Sequence, residues 1–201
     1  MKHIDKNIAP EGLKYACAHH FTWDDFHNNC PDKYVECREQ AYSEQNGECA
    51  YTGLPLTVYV IVHLDHFKKK SIYPRLTFDW SNLFAAVKDN HFGSDYKDKQ
   101  INGNNATHYY KLLINPALDT PEAYFWYSND GRVQPKDDLS QLDIERANIT
   151  IRLFNLNQST LVQRRRALWK ILQDYKDLPT DTITSELKIY GFSFVISNYL
   201  L

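Results

Sequence analysis

Four side chains between His63 and Lys97 carry the chemistry of this chain: Asp65, His66, Asn82 and His91. Hydrolysis of a phosphodiester needs an attacking water, a base to take its proton, and positive charge on the leaving oxygen. His66 suits the base, because an imidazole titrates near neutrality. Asp65 is a hard oxygen donor for Mg²⁺ or Mn²⁺, and His91 is a second protein ligand that leaves positions open for water and phosphate. Asn82 cannot titrate; its amide is suited to holding a loop or an imidazole by hydrogen bonds. His63 lies two residues before Asp65 and aims the same way along an extended chain. It fits an extra ligand, a phosphate contact or a core position, and a supporting role is expected, as for Asn90.

Lys68, Lys69, Lys70 and Arg75 flank this set. Between Ile61 and Arg75 three Lys and one Arg face one Asp, although the whole chain carries a net charge of only -2. A local basic field is enough for sequence-independent phosphate contacts. Lys88, Lys97 and Lys99 are candidates to extend that track. Arg164-Arg165-Arg166 is equally open to nucleic acid or to a structural or partner-binding face, and most of it is expected to face water.

These residues must be positioned by folded elements, and 201 residues with 43% hydrophobic content suffice for one good core or two small lobes. Residues 12 to 46 read as helix in pieces, with Pro31-Asp32 starting a stretch that stops at Asn46-Gly47. Val35, Ala41 and Tyr42 are expected on one face of it. Residues 57 to 62 are rich in β-branched types and predict a buried strand. A loop follows over 68 to 79. Ser81 is expected to cap a short helix through Leu83, Phe84 and Val87, with His91 near its end or just beyond. Asn102 to Asn105 reads as a turn within a polar stretch, 93 to 110. Tyr124-Phe-Trp-Tyr127, turned by Asn129-Asp-Gly131 into Arg132-Val133, is a hairpin signal. Residues 140 to 155 and 159 to 176 predict two helices, with Leu161, Leu168, Leu172 and Tyr175 on one face of the second. Tyr190 to Ile196 is ambiguous between strand and helix.

Met1 to Pro10 lacks the apolar core of a signal peptide, no apolar run reaches membrane-spanning length, and a cytoplasmic location is expected. Cys17, Cys30, Cys37 and Cys49 form no C-x-x-C pair and read as free thiols. No Walker motif occurs, so the chain does not read as an ATPase.

The spacing resembles that of the HNH endonucleases, whose pattern runs D-H, N-L, then C-x-x-C-H. Asn82 to His91 is nine residues, Leu83 follows the Asn, and His66 to Asn82 is sixteen. More narrowly, the chain resembles the HNH component of the Septu (PtuAB-type) anti-phage systems, some of them associated with retrons. The stretches that carry this are Glu44-Gln-Asn-Gly47-Glu-Cys49-Ala-Tyr51, Asp65-His66-Phe67 with Lys70-Ser71, and Phe78-Asp79-Trp80-Ser81-Asn82-Leu83. The hairpin Tyr124 to Pro135 and the run from Ile149 through Leu156-Asn157 and Leu161 to Arg164 extend it to roughly residues 30 to 170.

The resemblance implies an α+β, mainly helical fold. Residues 1 to 110 would hold a helical segment and a ββα-metal nuclease core. Residues 111 to 201 would form a small α+β lobe suited to docking a partner. It implies a metal-dependent endonuclease, DNA favoured, with one Mg²⁺ or Mn²⁺ ion and His66, Asn82, Asp65 and His91 at the centre. The implied partners are an ABC-type ATPase of the same operon (PtuA-like) and, in retron-linked systems, a reverse transcriptase with its RNA–DNA hybrid. An RNase acting on tRNA, or a non-catalytic adaptor of the ATPase, are the alternatives. Where many HNH proteins carry two C-x-x-C pairs, this chain has Cys49 with Thr52, and Val87 with Asn90. A structural Cys₄ zinc is therefore not expected, and Val87 should pack under the helix.

Overall fold

The computed structural model describes residues 1–57 and 62–200 and is α+β. Three helices lead: α1 (Glu11–Ala18), α2 (Trp23–Asn29) and α3 (Pro31–Glu44). Local chemistry sets their bounds. Thr22 and Asp25 cap α2 reciprocally, side chain to backbone, and Pro31 occupies the first turn of α3, where no backbone donor is required. The inner face of α3 is Cys37 and Ala41, continued by Gln45 just past its end. Tyr42, expected on that face, is exposed at 45%. It lies one position beyond Ala41, and 100° of helical turn carries it to the solvent side.

The strand expected over 57 to 62 falls mostly on residues 58–61, outside the described residues. From Val62 the chain is strand β1 (Val62–His66), antiparallel to β2 (Leu83–Val87), with His63 opposite Ala86 and Asp65 opposite Phe84. The expected helix through Leu83, Phe84 and Val87 is therefore a strand. All five residues of β2 are buried, and such a continuous short apolar run has no periodicity to separate strand from helix. Asp79, not Ser81, makes the local cap: its Oδ1 accepts from the Ser81 N–H at 2.9 Å over a 3₁₀ turn, Trp80–Asn82. The Gln45 side chain acts as a further partner for β2. Its amide donates to the Ala85 carbonyl (2.7 Å) and accepts from the Ala85 N–H (2.8 Å), so no backbone group is left open there.

Two helices follow, α4 (Gly93–Gln100) and α5 (Ala106–Leu112), with the expected turn between them. The polar stretch 93–110 is thus largely helical. The aromatic hairpin forms as β3 (Phe125–Tyr127) and β4 (Val133–Pro135), and the two long helices as α6 (Gln141–Leu153) and α7 (Ser159–Asp174). In the hairpin turn Gly131 has φ +86, and a Cβ there would overlap the Val162 carbonyl oxygen of α7. Chain reversal and helix approach both demand glycine at that point. On α7, Leu161, Leu168 and Leu172 are buried as expected, but Arg165 joins them at 2% exposure, flanked by exposed Arg164 and Arg166. Helices α8 (Thr180–Leu187) and α9 (Ser193–Leu200) close the chain and resolve the ambiguity at Tyr190–Ile196 as a turn into helix. Glu48 caps α9, accepting from the Ser193 N–H and hydroxyl.

The buried side chains form one continuous cluster that includes Phe67 and Phe84 of the first half and Phe154, Leu168 and Phe194 of the second. All four cysteines are free. Among the described residues, no helix is long and apolar enough to cross a membrane.

Candidate active site

β1 and the 3₁₀ turn before β2 bring Asp65, His66 and Asn82 to one end of the first hairpin, where Lys97 of α4 meets them; His63 lies further back on β1, opposite Ala86, and His91 follows the other end of β2. His66 ends β1 and is buried against Trp23, whose ring meets the imidazole edge-on at 4.4 Å between centroids. Its Nε2 lies 3.0 Å from the Thr77 carbonyl oxygen. A carbonyl only accepts, so Nε2 carries the hydrogen and Nδ1 holds the lone pair in the neutral ring. Burial, the largest influence, lowers the pKa of His66 from its ordinary value, against the opposing pull of Thr77 and Asp65. The neutral ring is therefore the dominant form at pH 7.

Asn82 fastens the loop that supplies Thr77. Its Oδ1 accepts from the Lys68 N–H at 2.8 Å, and its Nδ2 donates to the carbonyls of Lys68 (3.0 Å) and Leu76 (3.1 Å). Its own carbonyl accepts from the Phe67 N–H at 2.9 Å. One buried amide thus ties both ends of the 68–76 segment, and the next carbonyl in line, Thr77, faces His66.

Asp65 is also buried. Its Oδ2 accepts from the Tyr51 hydroxyl at 2.6 Å and lies 3.3 Å from the Lys97 ammonium. Burial and then the Asp65 charge raise the Tyr51 pKa well above its ordinary value, so the phenol remains a donor. Lys97 is fully buried (0% exposed) and also donates to the carbonyls of His66 (3.0 Å) and Phe67 (2.9 Å). Burial opposes its charge, but Asp65 and Asp98 outweigh that and raise its pKa. Lys97 cannot extend a phosphate-binding track. It faces inward because it lies four residues after Gly93 and three after Ser94, on the buried side of α4.

On the same strand face as Asp65, His63 Nε2 stands 3.9 Å from Asp65 Oδ1, 3.8 Å from Asp95 Oδ1 and 3.5 Å from Ser94 Oγ. Asp95 was missed in the sequence because the turn-and-helix boundary near 93 was not visible there; a helix starting at Gly93 is the signal that would have found it. His91 precedes α4 and is exposed. Its N–H donates to Asp89 and its carbonyl accepts from Asn155. Asn90 accepts from the Lys99 ammonium at 2.8 Å.

For a divalent ion the donor types around Asp65 are suitable, but the spacing is open. Donors on neighbouring positions of a Mg²⁺ shell lie about 3 Å apart, whereas His63 stands 3.9 and 3.8 Å from its two carboxylates. Among the described residues, no group of three or more His, Cys, Asp or Glu side chains is disposed to hold a metal ion. As they stand, these residues do not form a closed ion site.

The basic segment divides. Lys69 is spent internally, its ammonium donating to the carbonyls of Asp98 (2.7 Å) and Ile101 (3.1 Å). Lys70 pairs with Asp24 at 2.9 Å across an exposed surface. Lys68 lies over the Tyr73 ring, and Arg75 is exposed on a 3₁₀ turn, Pro74–Leu76. At the far end of the hairpin, Cys49 and Val87 meet: the Cys49 sulfur lies 3.5 Å from the Val87 N–H, and both are buried. Cys49 sits in a tight turn in which its carbonyl accepts from the Gly53 N–H.

No protein-family model matches the chain, and no curated protein matches it to a significant degree.

Proposed function

We propose that this chain is an HNH-type endonuclease that hydrolyses nucleic-acid phosphodiesters, with His66 as general base. The observation that carries the reading is the linkage His66–Thr77–Asn82. A carbonyl held by an Asn-clamped loop fixes the imidazole in the tautomer whose Nδ1 is basic. In this reading Nδ1 takes a proton from water, the oxygen attacks phosphorus, and the bond to the leaving oxygen breaks. Asn82 is a positioning residue that keeps the Thr77 carbonyl on the imidazole.

Two further observations support the reading. A two-stranded antiparallel hairpin followed directly by a helix is the element order it requires. The turn at Cys49 and the end of β2 at Val87 lie against each other, where zinc-bearing relatives of the HNH pattern would carry their two Cys pairs. Here a sulfur–amide contact and apolar packing occupy that junction.

The HNH resemblance adds a Mg²⁺ or Mn²⁺ ion to this reading; Asp65 and His91 would hold it, and it would offset the negative charge that builds on the leaving oxygen. The proposed setting is an anti-phage complex with an ABC-type ATPase, and a retron reverse transcriptase where one is present. That setting rests on the Septu-like stretches of the sequence. One observation favours a second reading, a non-catalytic adaptor on the same scaffold: the Lys97 ammonium already neutralises Asp65.

The test is cleavage of plasmid, single-stranded DNA and purified tRNA with Mg²⁺ or Mn²⁺, with and without the ATPase, alongside Mn²⁺ binding by calorimetry. Cleavage with ion binding weakened by Asp65→Ala supports the nuclease and names its substrate. No cleavage and no ion binding with the ATPase bound would favour the adaptor.

A further inference from the structure

Beside His66 lies an open cleft of about 580 Å³ between the turn that joins α1 to α2 and the loop 70–78. Its walls are the half-buried rings of Phe21, Trp23 and Phe78, with Lys70 and His20 at the rim. Trp23 and Phe78 stand 5.7 Å apart between centroids at 40°, an open wedge rather than a closed stack. The cleft and the candidate base share their walls: Trp23 packs on the His66 ring, and Thr77, which lines the cleft, holds the His66 Nε2.

The α1–α2 turn carries a cost that packing does not explain. His20 is an exposed residue at φ +53, ending α1 with the Phe21 N–H bonded to the Ala16 carbonyl (3.0 Å) and its own N–H to Cys17 (3.1 Å). This is the helix end at which glycine is favoured, because a side chain is strained there. The strained turn sets this exposed imidazole at the mouth of the aromatic cleft, where it is open to a contact outside the chain.

We infer that this cleft receives an unpaired base of a single-stranded nucleic acid, with the adjoining phosphate on Lys70 and His20. The inference rests on the nuclease reading for its ligand class and deepens it to a substrate form. Aromatic walls stack on a base face and need no sequence, and a cation beside them takes the phosphate. Bases of a duplex are stacked on each other and do not offer that face. The size suits a nucleotide rather than a helix. Among the described residues Lys70 is held only by the exposed Asp24, a weak pair that a phosphate displaces.

The test is binding of fluorescent single-stranded DNA and RNA oligonucleotides, and of a blunt duplex, to the full chain without divalent ions. Wild type, Phe21→Ala and His20→Gly are compared, with melting curves for each. The single strands should bind more tightly than the duplex, and Phe21→Ala should weaken them by about five- to hundred-fold. His20→Gly should weaken them several-fold while melting at the same or a higher temperature, which a purely structural role would not produce. Equal binding of duplex and single strand, or wild-type affinity in His20→Gly, would overturn the inference. Cleavage of the same oligonucleotides with Mn²⁺, with the ATPase present and absent, separates it from the reading beneath. Binding that depends on the cleft without cleavage would leave the cleft standing and sink the nuclease. Cleavage with affinity unchanged in both variants would do the reverse.

Discussion

Two hairpins in this molecule are each pinned by a buried cation from a later helix, and the two cations are treated differently. Lys97 of α4 reaches the end of β1, where it meets Asp65, Asp98 and two carbonyls, and its pKa is raised. Arg165 of α7 reaches the β3–β4 turn. There, among the described residues, it bonds only the carbonyls of Gly131 (2.7 Å) and Leu156 (2.6 Å), and burial lowers its pKa to about 10. Lys6 is intermediate. It pairs with the single carboxylate of Glu44 at 3.2 Å, and burial wins, lowering its pKa to about 8. The first cation has two carboxylates beside it, Asp65 at the end of β1 and Asp98 on its own helix; rings surround both cations, those of Tyr51, Phe67 and Phe154 the first and those of Tyr127 and Phe192 the second. A buried cation is thus a fold device in both places; the first also lies beside the proposed catalytic residues.

The largest effect should come from Lys97→Met. It leaves Asp65 and Asp98 buried without their partner, and a loss of about 3–5 kcal/mol in urea unfolding is expected. Adding Asp65→Asn should recover part of it; full additivity of the two would show that the pair does not interact. Arg165→Met leaves two carbonyls, not a carboxylate, and should cost about 1–3 kcal/mol, with no change in cleavage beyond that of a less stable protein. If Arg165→Met proves the more costly of the two, the contrast drawn between them is wrong. Asn82→Ala removes three hydrogen bonds from the loop. A modest loss of stability is expected, with kcat falling and KM nearly unchanged, since the loop orients His66 and not the substrate.

The smallest effect concerns Lys6. Below pH 8 it is protonated in both states. Between about 8 and its unfolded value of 10.5 the unfolded chain holds a proton the folded one has shed, so this group adds stability as pH rises. The buried Cys37 thiol, pushed up to about 12, acts with the opposite sign above pH 9. The difference between wild type and Lys6→Met isolates the lysine. Thermal melts from pH 7.5 to 9.5 should show that difference growing by on the order of 1–2 kcal/mol, and a flat difference would mean Lys6 keeps its proton.

How far the sequence carried differs between the same two regions. The β3–β4 hairpin and helices α6 and α7 were legible because turn residues and helical periodicity are local signals. β2 was not, because LFAAV is buried on both faces and has no alternation to read. Type and spacing single out the proposed site residues but say nothing of their partners. That Lys97 and Arg165 point inward depends on which helix face meets the core, and a triple Arg or a lone Lys in a polar stretch gives no local sign of it. Thr77 was silent for another reason: it acts through its backbone carbonyl, which every residue has. Gln45 supplies a strand partner through a side chain whose role appears only once β2 lies beside it.

The most direct measurement is single-turnover cleavage by wild type, His66→Ala and Arg165→Met, with the fold of each checked by circular dichroism. If His66 is the base, His66→Ala should lose about 10²–10⁴-fold in rate while remaining folded, and Arg165→Met should cleave at close to the wild-type rate. Full activity in a folded His66→Ala would contradict the account.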